Sequence, residues 1–118
     1  MSKVEDLVDL VDLCRKKCPW CKIQDMDSYS KQLLSEAKEL RLAVKNNDMK
    51  NIEEEIGDIL WDSFMFIKLS GLSTSKIIDK VNKKMLRRKP FLKSKQTVTL
   101  EEAKHLWKKA KLREKRTR

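Results

Sequence analysis

Three observations predict an all-α fold for this chain of 118 residues, an antiparallel helical bundle of about five helices. Two Gly and two Pro are too few for a turn-rich β protein. Leu, Lys, Glu and Ala, all good helix formers, fill segments far longer than strands. Within those segments apolar residues recur three and four positions apart, the helical period.

The first predicted helix covers Lys3 to Lys17, with Leu7, Leu10, Val11 and Cys14 at helical spacing and Pro19 closing it. "CPWCKIQD" then reads as a loop. A second helix starts near Asp27 or Ser28, whose side chains can cap it, and runs to about Lys45 with Leu33, Ala37, Leu40 and Val44 as its stripe. "KNND" makes the connection. The third runs from Asp48 to about Ser70, carrying Ile52, Ile56, Ile59, Ser63, Phe66 and Ile67 on one side, and Gly71 suits its C-terminal cap. Ser73 or Ser75 opens the fourth, with Ile77, Ile78, Val81 and Met85 as the stripe until Pro90. The last opens at Thr99, where "TLEE" predicts a capping box between Thr99 and Glu102, and frays in "REKRTR". Connections this short favour antiparallel neighbours.

A chain of this length buries one core, so a single domain over residues 1 to 118 is expected, with a basic tail from about residue 112. The net charge of +10 is unevenly placed: residues 83 to 118 hold 15 Lys/Arg against three Glu, while residues 1 to 82 carry a net −2. An acidic body with a basic C-terminal third points to an anionic partner. No apolar run approaches the ~20 residues of a membrane span, and the N-terminus lacks the pattern of a signal peptide. The expected setting is the reducing cytoplasm, with three free thiols and no membrane partner.

Acidic residues three apart occur on two helices: Glu36 and Glu39 in "LLSEAKEL", Glu55 and Asp58 in "EEEIGDIL". Such residues share a helix face. With Leu33 as the centre of its arc, Glu36 lies between Tyr29 and Ala43 inside the apolar face and Glu39 at its edge. With Ile52 as centre, Glu55 lies among Ile59 and Phe66, and Asp58 at the edge. Antiparallel packing would turn all four toward one pocket. Taken singly, each pair is the solvated acidic face common on helices. Two matching pairs inside core-facing arcs instead call for a cation, because partly buried like charges repel and each costs several kcal/mol to desolvate. A hard divalent ion with oxygen ligands removes that cost, and Mg²⁺ is usual where phosphates complete the shell, with Mn²⁺ as a substitute. Asp62, one turn beyond Asp58, is a fifth acid, an outer partner or a polar flank. On the fourth helix Lys84 and Arg88 lie on or beside the apolar stripe, where they need an anion: the carboxylates themselves, or a phosphate chain held between metal and cations.

Five segments, in order, resemble the MazG-like branch of the all-α nucleoside triphosphate pyrophosphohydrolases. "CPWCKIQD" is similar to that family's C-P-W-D-x-x-Q-T, "LLSEAKEL" to L-L-E-E-x-x-E-L and "EEEIGDIL" to E-E-x-G-D-L-L. "VNKKMLRRKP" resembles N-x-K-x-x-R-R-H-P, and "TLEEAKHLWKKAK" a terminal helix ending in W-x-x-x-K. The resemblance implies Mg²⁺-dependent hydrolysis of a nucleoside triphosphate to monophosphate and pyrophosphate. It implies Glu36, Glu39, Glu55 and Asp58 as metal ligands, Glu36 or Glu39 as the catalytic carboxylate that directs water, Lys84 and Arg88 as phosphate contacts, and Trp107 with Lys111 as pocket residues. Trp20 lines the nucleotide pocket or packs on the bundle. The implied assembly is a homodimer sharing its site between chains, with a tetramer as the alternative. The chain departs from the pattern at Ser35, Lys83, Lys89, Phe91, Cys21 and Asp25, which bears on substrate preference more than on the metal site.

Cys18 and Cys21 frame Pro19 and Trp20 as C-x-x-C, but Cys21 stands where the family has Asp. A thioredoxin-like site would want a preceding strand in a βαβ setting. Zinc would gain Cys14 as a third thiol, yet His105 is far along the chain and no fourth ligand is evident. Two other readings compete with the enzyme: a nucleic-acid-binding module using the tail "KKAKLREKRTR", and a catalytically degenerate relative kept for protein contacts.

Overall fold

The computed structural model describes Ser2 to Thr117, all helices and connections with no strand among the described residues. Arg118, the end of the expected basic tail, lies outside them. Six α-helices are present: α1 (Lys3–Lys17), α2 (Pro19–Lys22), α3 (Met26–Lys45), α4 (Met49–Ser70), α5 (Thr74–Arg88) and α6 (Leu100–Arg116), with a 3₁₀ turn at Pro90–Lys93. The chain gathers into two compact units divided between Thr74 and Ser75.

Two elements differ from the sequence expectation. "CPWCKIQD" is not wholly a loop: Pro19, with its fixed φ and no N–H to waste, starts the one-turn helix α2. Pro90 starts the 3₁₀ turn in the same way. Two boundaries also move, and one cap is only partly made. The cap of α3 is Asp25, whose carboxylate accepts the Ser28 N–H at 2.8 Å while the Ser28 hydroxyl accepts the Asp25 N–H at 3.0 Å, a reciprocal box. At α6 the Thr99 hydroxyl accepts the Glu102 N–H at 3.2 Å but donates to the Glu102 side chain at 3.0 Å, so only half the expected box forms. Helix α6 also continues through the expected fraying segment to Arg116. Gly71 closes α4 at φ 74, the left-handed conformation that favours glycine.

In the first unit, α3 and α4 form an antiparallel hairpin over a short connection in which Asn47 also takes positive φ. Glu36 on α3 meets Glu55 on α4, and moving back to Tyr29 is matched by moving forward to Asp62. Helix α1 packs on α4, tied at its edge by Lys68 to Asp12 at 3.1 Å. The core is small: Val11, Cys21, Tyr29 and Met65, bordered by Cys14, Cys18, Trp61, Phe64, Phe66 and Leu69.

The buried face of α3 runs through Tyr29, Leu33, Glu36, Leu40 and Ala43, leaving Ala37 and Val44 of the expected stripe exposed. Leu10 of α1 and Ile56 of α4 are likewise exposed. In the second unit no residue of α5 is buried, and Ala110 is the buried residue of α6. Side-chain contacts join those two helices.

Candidate metal and phosphate site

The α3 and α4 caps fix the start of each helix, and the helical period then places the acids. Asp48 caps α4 by accepting the Asn51 N–H at 3.2 Å. From these starts one face of α3 carries Tyr29, Gln32, Glu36 and Glu39, and the facing side of α4 carries Glu55, Asp58 and Asp62.

Carboxylate oxygens of Glu36, Glu39 and Glu55 all lie within 4.8 Å of one another. Asp58 stands outside that group and is exposed, yet its charge acts on Glu36, Glu55 and Asp62. Glu39 is exposed, Glu36 is half-buried and Glu55 is only 8% exposed. Gln32 donates to Glu36 Oε1 at 3.2 Å. Glu36 Oε2, Glu55 Oε2 and Asp62 Oδ2 are withdrawn from solvent without a hydrogen-bond partner, an expensive state for carboxylate oxygens.

The electrostatics follow from this crowding. The Glu55 carboxyl is raised, first by its close pairing with the Glu36 carboxyl, then by burial and by the charge of Glu36. On Glu36 that pairing favours the charged form. Burial and the charges of Glu39, Asp58 and Asp62 outweigh it, so its net shift is also upward. Burial, with Asp58 adding, lifts Asp62 to about 6. Carboxyls pushed upward together, with oxygens converging and unpartnered, form a donor set suited to a hard divalent cation. The fit rests on Glu36, Glu39 and Glu55, with Asp58 beside them.

Trp20 on α2 is 54% exposed, its ring set edge-on to Tyr29 at 6.1 Å between centroids. Tyr29 is buried, and its hydroxyl is pushed up to about 12, chiefly by that burial.

In the second unit, the Arg88 guanidinium lies 4.7 Å over the Trp107 ring and donates to Glu114 Oε2 at 2.8 Å. Arg87 reaches Glu114 Oε1 at 3.2 Å, and Lys89 approaches Trp107 at 5.7 Å. The two arginines hold the Glu114 carboxyl below its ordinary value, the Arg88 hydrogen bond being the largest cause. Lys84, Arg87, Arg88, Glu114 and Thr117 line a hollow of about 260 Å³. A second hollow of about 260 Å³ is bounded by Lys89, Ala103, Lys104, Trp107 and Lys108. Lys111, one turn beyond Trp107, is exposed.

Sequence reasoning missed Gln32 and Glu114. Gln32 stands one turn before Glu36, and Glu114, the one acid amid "KLREKR", lies two turns from Trp107 on the same face; both spacings were readable.

The MazG nucleotide pyrophosphohydrolase domain model matches residues 24–93, more than half of the chain. The chain belongs to the MazG nucleotide pyrophosphohydrolase domain family. Its fold is similar to that of a mazG-related protein from Thermotoga maritima, with a TM-score of 0.84 and 36% identity, over 91% of this chain and 97% of that one. Two proteins named nucleoside triphosphate pyrophosphohydrolase are similar over nearly the whole of this MazG chain. The one from Mycolicibacterium smegmatis is 27% identical over 99% of the chain, and the one from Mycobacterium tuberculosis 28% identical over 97%. The chain spans only 38% and 37% of their respective lengths. No helix among the described residues is long and apolar enough to cross a membrane.

Proposed function

We propose that this MazG chain is a cytoplasmic nucleoside triphosphate pyrophosphohydrolase, converting a ribo- or deoxyribonucleoside triphosphate and water to the monophosphate and pyrophosphate. The observation that carries the reading is the convergence of Glu36, Glu39 and Glu55 within 4.8 Å, with buried oxygens of Glu36 and Glu55 lacking partners. In this proposal Glu36, Glu39, Glu55 and Asp58 hold Mg²⁺, or Mn²⁺ in its place. The bound ion supplies charge neutralisation at phosphate oxygens and acidifies water.

The chain's own groups then have distinct tasks. Glu36 or Glu39 orients the attacking water and accepts its proton; Glu39 is exposed, while Gln32 holds the Glu36 carboxylate. Lys84 and Arg88 carry the charge of the departing pyrophosphate. Trp20, with an exposed ring, and Trp107 with Lys111 contact the nucleotide.

A homodimer is part of the same proposal. Leu34 and Leu42 of α3 and Ile56 and Leu60 of α4 remain about half exposed or more, and the core beneath them is small. A second copy would cover such surface; light scattering of the purified protein tests it.

Pyrophosphate release from a panel of nucleoside triphosphates tests the reaction, with Mg²⁺ and with chelator, using wild type and Glu39→Ala. Metal-dependent release lost in the variant is expected. Release that survives both chelator and the substitution would overturn the assignment. The exposed Lys108, Lys109, Lys111, Arg113, Lys115 and Arg116 of α6 favour a second reading, nucleic-acid binding, which salt-dependent retention of single-stranded RNA or DNA would test.

A further inference from the structure

The three thiols play no part in the proposed hydrolysis, yet they gather at one corner of the first unit. Cys14 lies in the last turn of α1, Cys18 joins α1 to α2, and Cys21 lies within α2; all are free. Cys21 is fully buried, its Sγ 3.4 Å from Met65 Sδ, and its carbonyl accepts the Arg15 guanidinium at 2.6 Å. Cys14 and Cys18 border the same core, partly exposed. The sulfurs of Cys18 and Cys21 both act on the Cys14 thiol.

We infer that Cys14 and Cys18 are an oxidisable dithiol, a modification site for hydroperoxides that is separate from the carboxylate cluster. The Cys18 N–H donates to the Cys14 carbonyl at 2.9 Å, so the two are one helical turn apart. One turn separates α-carbons by about 6 Å, within the span of a disulfide, while β-carbons about 5–6 Å apart on a regular turn must close by about 1–2 Å. Cys18 is also where α1 stops, at ψ 117, so closing the bond reshapes a helix end and not a helix interior.

The two thiols differ in the way such a reaction requires. The backbone N–H of Cys21, helped by that of Trp20, draws the Cys18 thiol below its ordinary value although burial opposes it. Burial and the neighbouring sulfurs push Cys14 up to about 11. Cys18 therefore supplies the thiolate, the reactive form. Its sulfur attacks one oxygen of hydrogen peroxide, the O–O bond breaks, and the released hydroxide takes a proton to become water, leaving Cys18 as sulfenic acid. The Cys14 sulfur then displaces that hydroxyl, which leaves as a second water with the Cys14 proton. The net change is loss of two hydrogens from the protein and reduction of one peroxide. Cys21, sealed against Met65, stays reduced. The inference stands whether or not the proposed hydrolysis is correct.

The test treats the intact folded protein with hydrogen peroxide, blocks remaining thiols, and maps the peptides. Cys18 and Cys21 share a tryptic fragment, so fragment-ion sequencing assigns the bridge, and the Cys21→Ala variant repeats the assignment. The expected product is an intramolecular Cys14 to Cys18 bridge with Cys21 alkylated. Cys18→Ser should slow loss of the Cys14 thiol at least about tenfold, and Cys14→Ser should leave a Cys18 sulfenic acid that dimedone captures. Far-UV circular dichroism establishes that each variant is folded, and the wild-type map needs no variant. A bridge through Cys21, an intermolecular bridge, over-oxidation of Cys18 without a bridge, or untouched thiols would each overturn the inference.

Discussion

Replacing Asp62 with Asn should stabilise the metal-free protein by an amount that depends on pH. Asp62 is only 5% exposed and its Oδ2 has no partner. Burial first, then the charge of Asp58, lifts its carboxyl from 3.8 to about 6. The folded protein therefore binds this proton more tightly than the unfolded chain. Stability from Asp62 is complete below the unfolded value and is lost as pH rises through about 6. A shift of about two units corresponds to about 3 kcal/mol of lost stability at neutral pH. Screening by water near the exposed Asp58 reduces that to about 1–2 kcal/mol. In a domain of this size the gain would raise Tm by roughly 4–8 °C. The assay is thermal unfolding followed by circular dichroism in chelator, from pH 4 to pH 8, for wild type and Asp62→Asn. The two melts should coincide near pH 4 and separate to a plateau above pH 7. A variant less stable than wild type at pH 8, or a difference that does not shrink toward pH 4, would refute the argument. It would show that the Asp62 carboxylate is held by a favourable partner.

Mg²⁺ or Mn²⁺ should raise the Tm of the wild type, and Glu55→Gln should keep the helical spectrum but abolish that rise, because it removes a charged oxygen from the converging set; differential scanning fluorimetry reads this directly. Met65→Ala, at a position with no exposure, should cost about 2–5 kcal/mol in urea unfolding. Glu114→Ala should raise KM for a triphosphate more than it lowers kcat, since it frees the Arg88 guanidinium from a fixed orientation. The wild-type Glu114 contacts carry their own pH signature: with the carboxyl held below 4.5, their stabilisation is present above that value and lost as pH falls through the folded value. Acid titration of the Trp107 near-UV signal should show this step in wild type and not in Glu114→Ala.

The helices were legible because their punctuation is chemical and local. Pro19, Gly71, Asp48 and Thr99 each stop or start a helix by a property of one residue, and together they mark ends of three of the predicted helices. The short helix α2 was not legible because Pro19 both ends α1 and begins α2, and four residues carry no period. The acidic pairs were legible as a pattern, since Glu36 and Glu55 each fall inside an apolar arc. Their distances were not, because Asp58 and Glu39 lie at the arc edges, where the hairpin's rotation decides which carboxylate turns inward. The partner of Arg88 was hidden for a different reason. Its ion pair with Glu114 joins residues 26 positions apart, a relation that composition and periodicity do not encode.

The first unit divides its labour along the α3–α4 hairpin. At the end formed by the start of α3 and the later turns of α4, Tyr29 and Met65 bury with Val11 of α1 and Cys21 of α2. Toward the middle of the hairpin, between that core and Leu40, Ala43 and Ile52 nearer the connection, the facing positions carry Glu36, Glu39, Glu55 and Asp58. Like charges there oppose the pairing of the same two helices that the core favours. The hairpin is thus held at that core and strained among the carboxylates, and a cation bound there would turn repulsion into cross-linking of α3 to α4. Glu55→Gln and Met65→Ala probe the two regions separately. The first should remove the response to metal while relieving repulsion, whereas the second should lower stability and leave that response in place. If Met65→Ala also abolished the metal response, the two regions would be one cooperative unit. The carboxylates would then owe their convergence to the core and not to their helix positions alone.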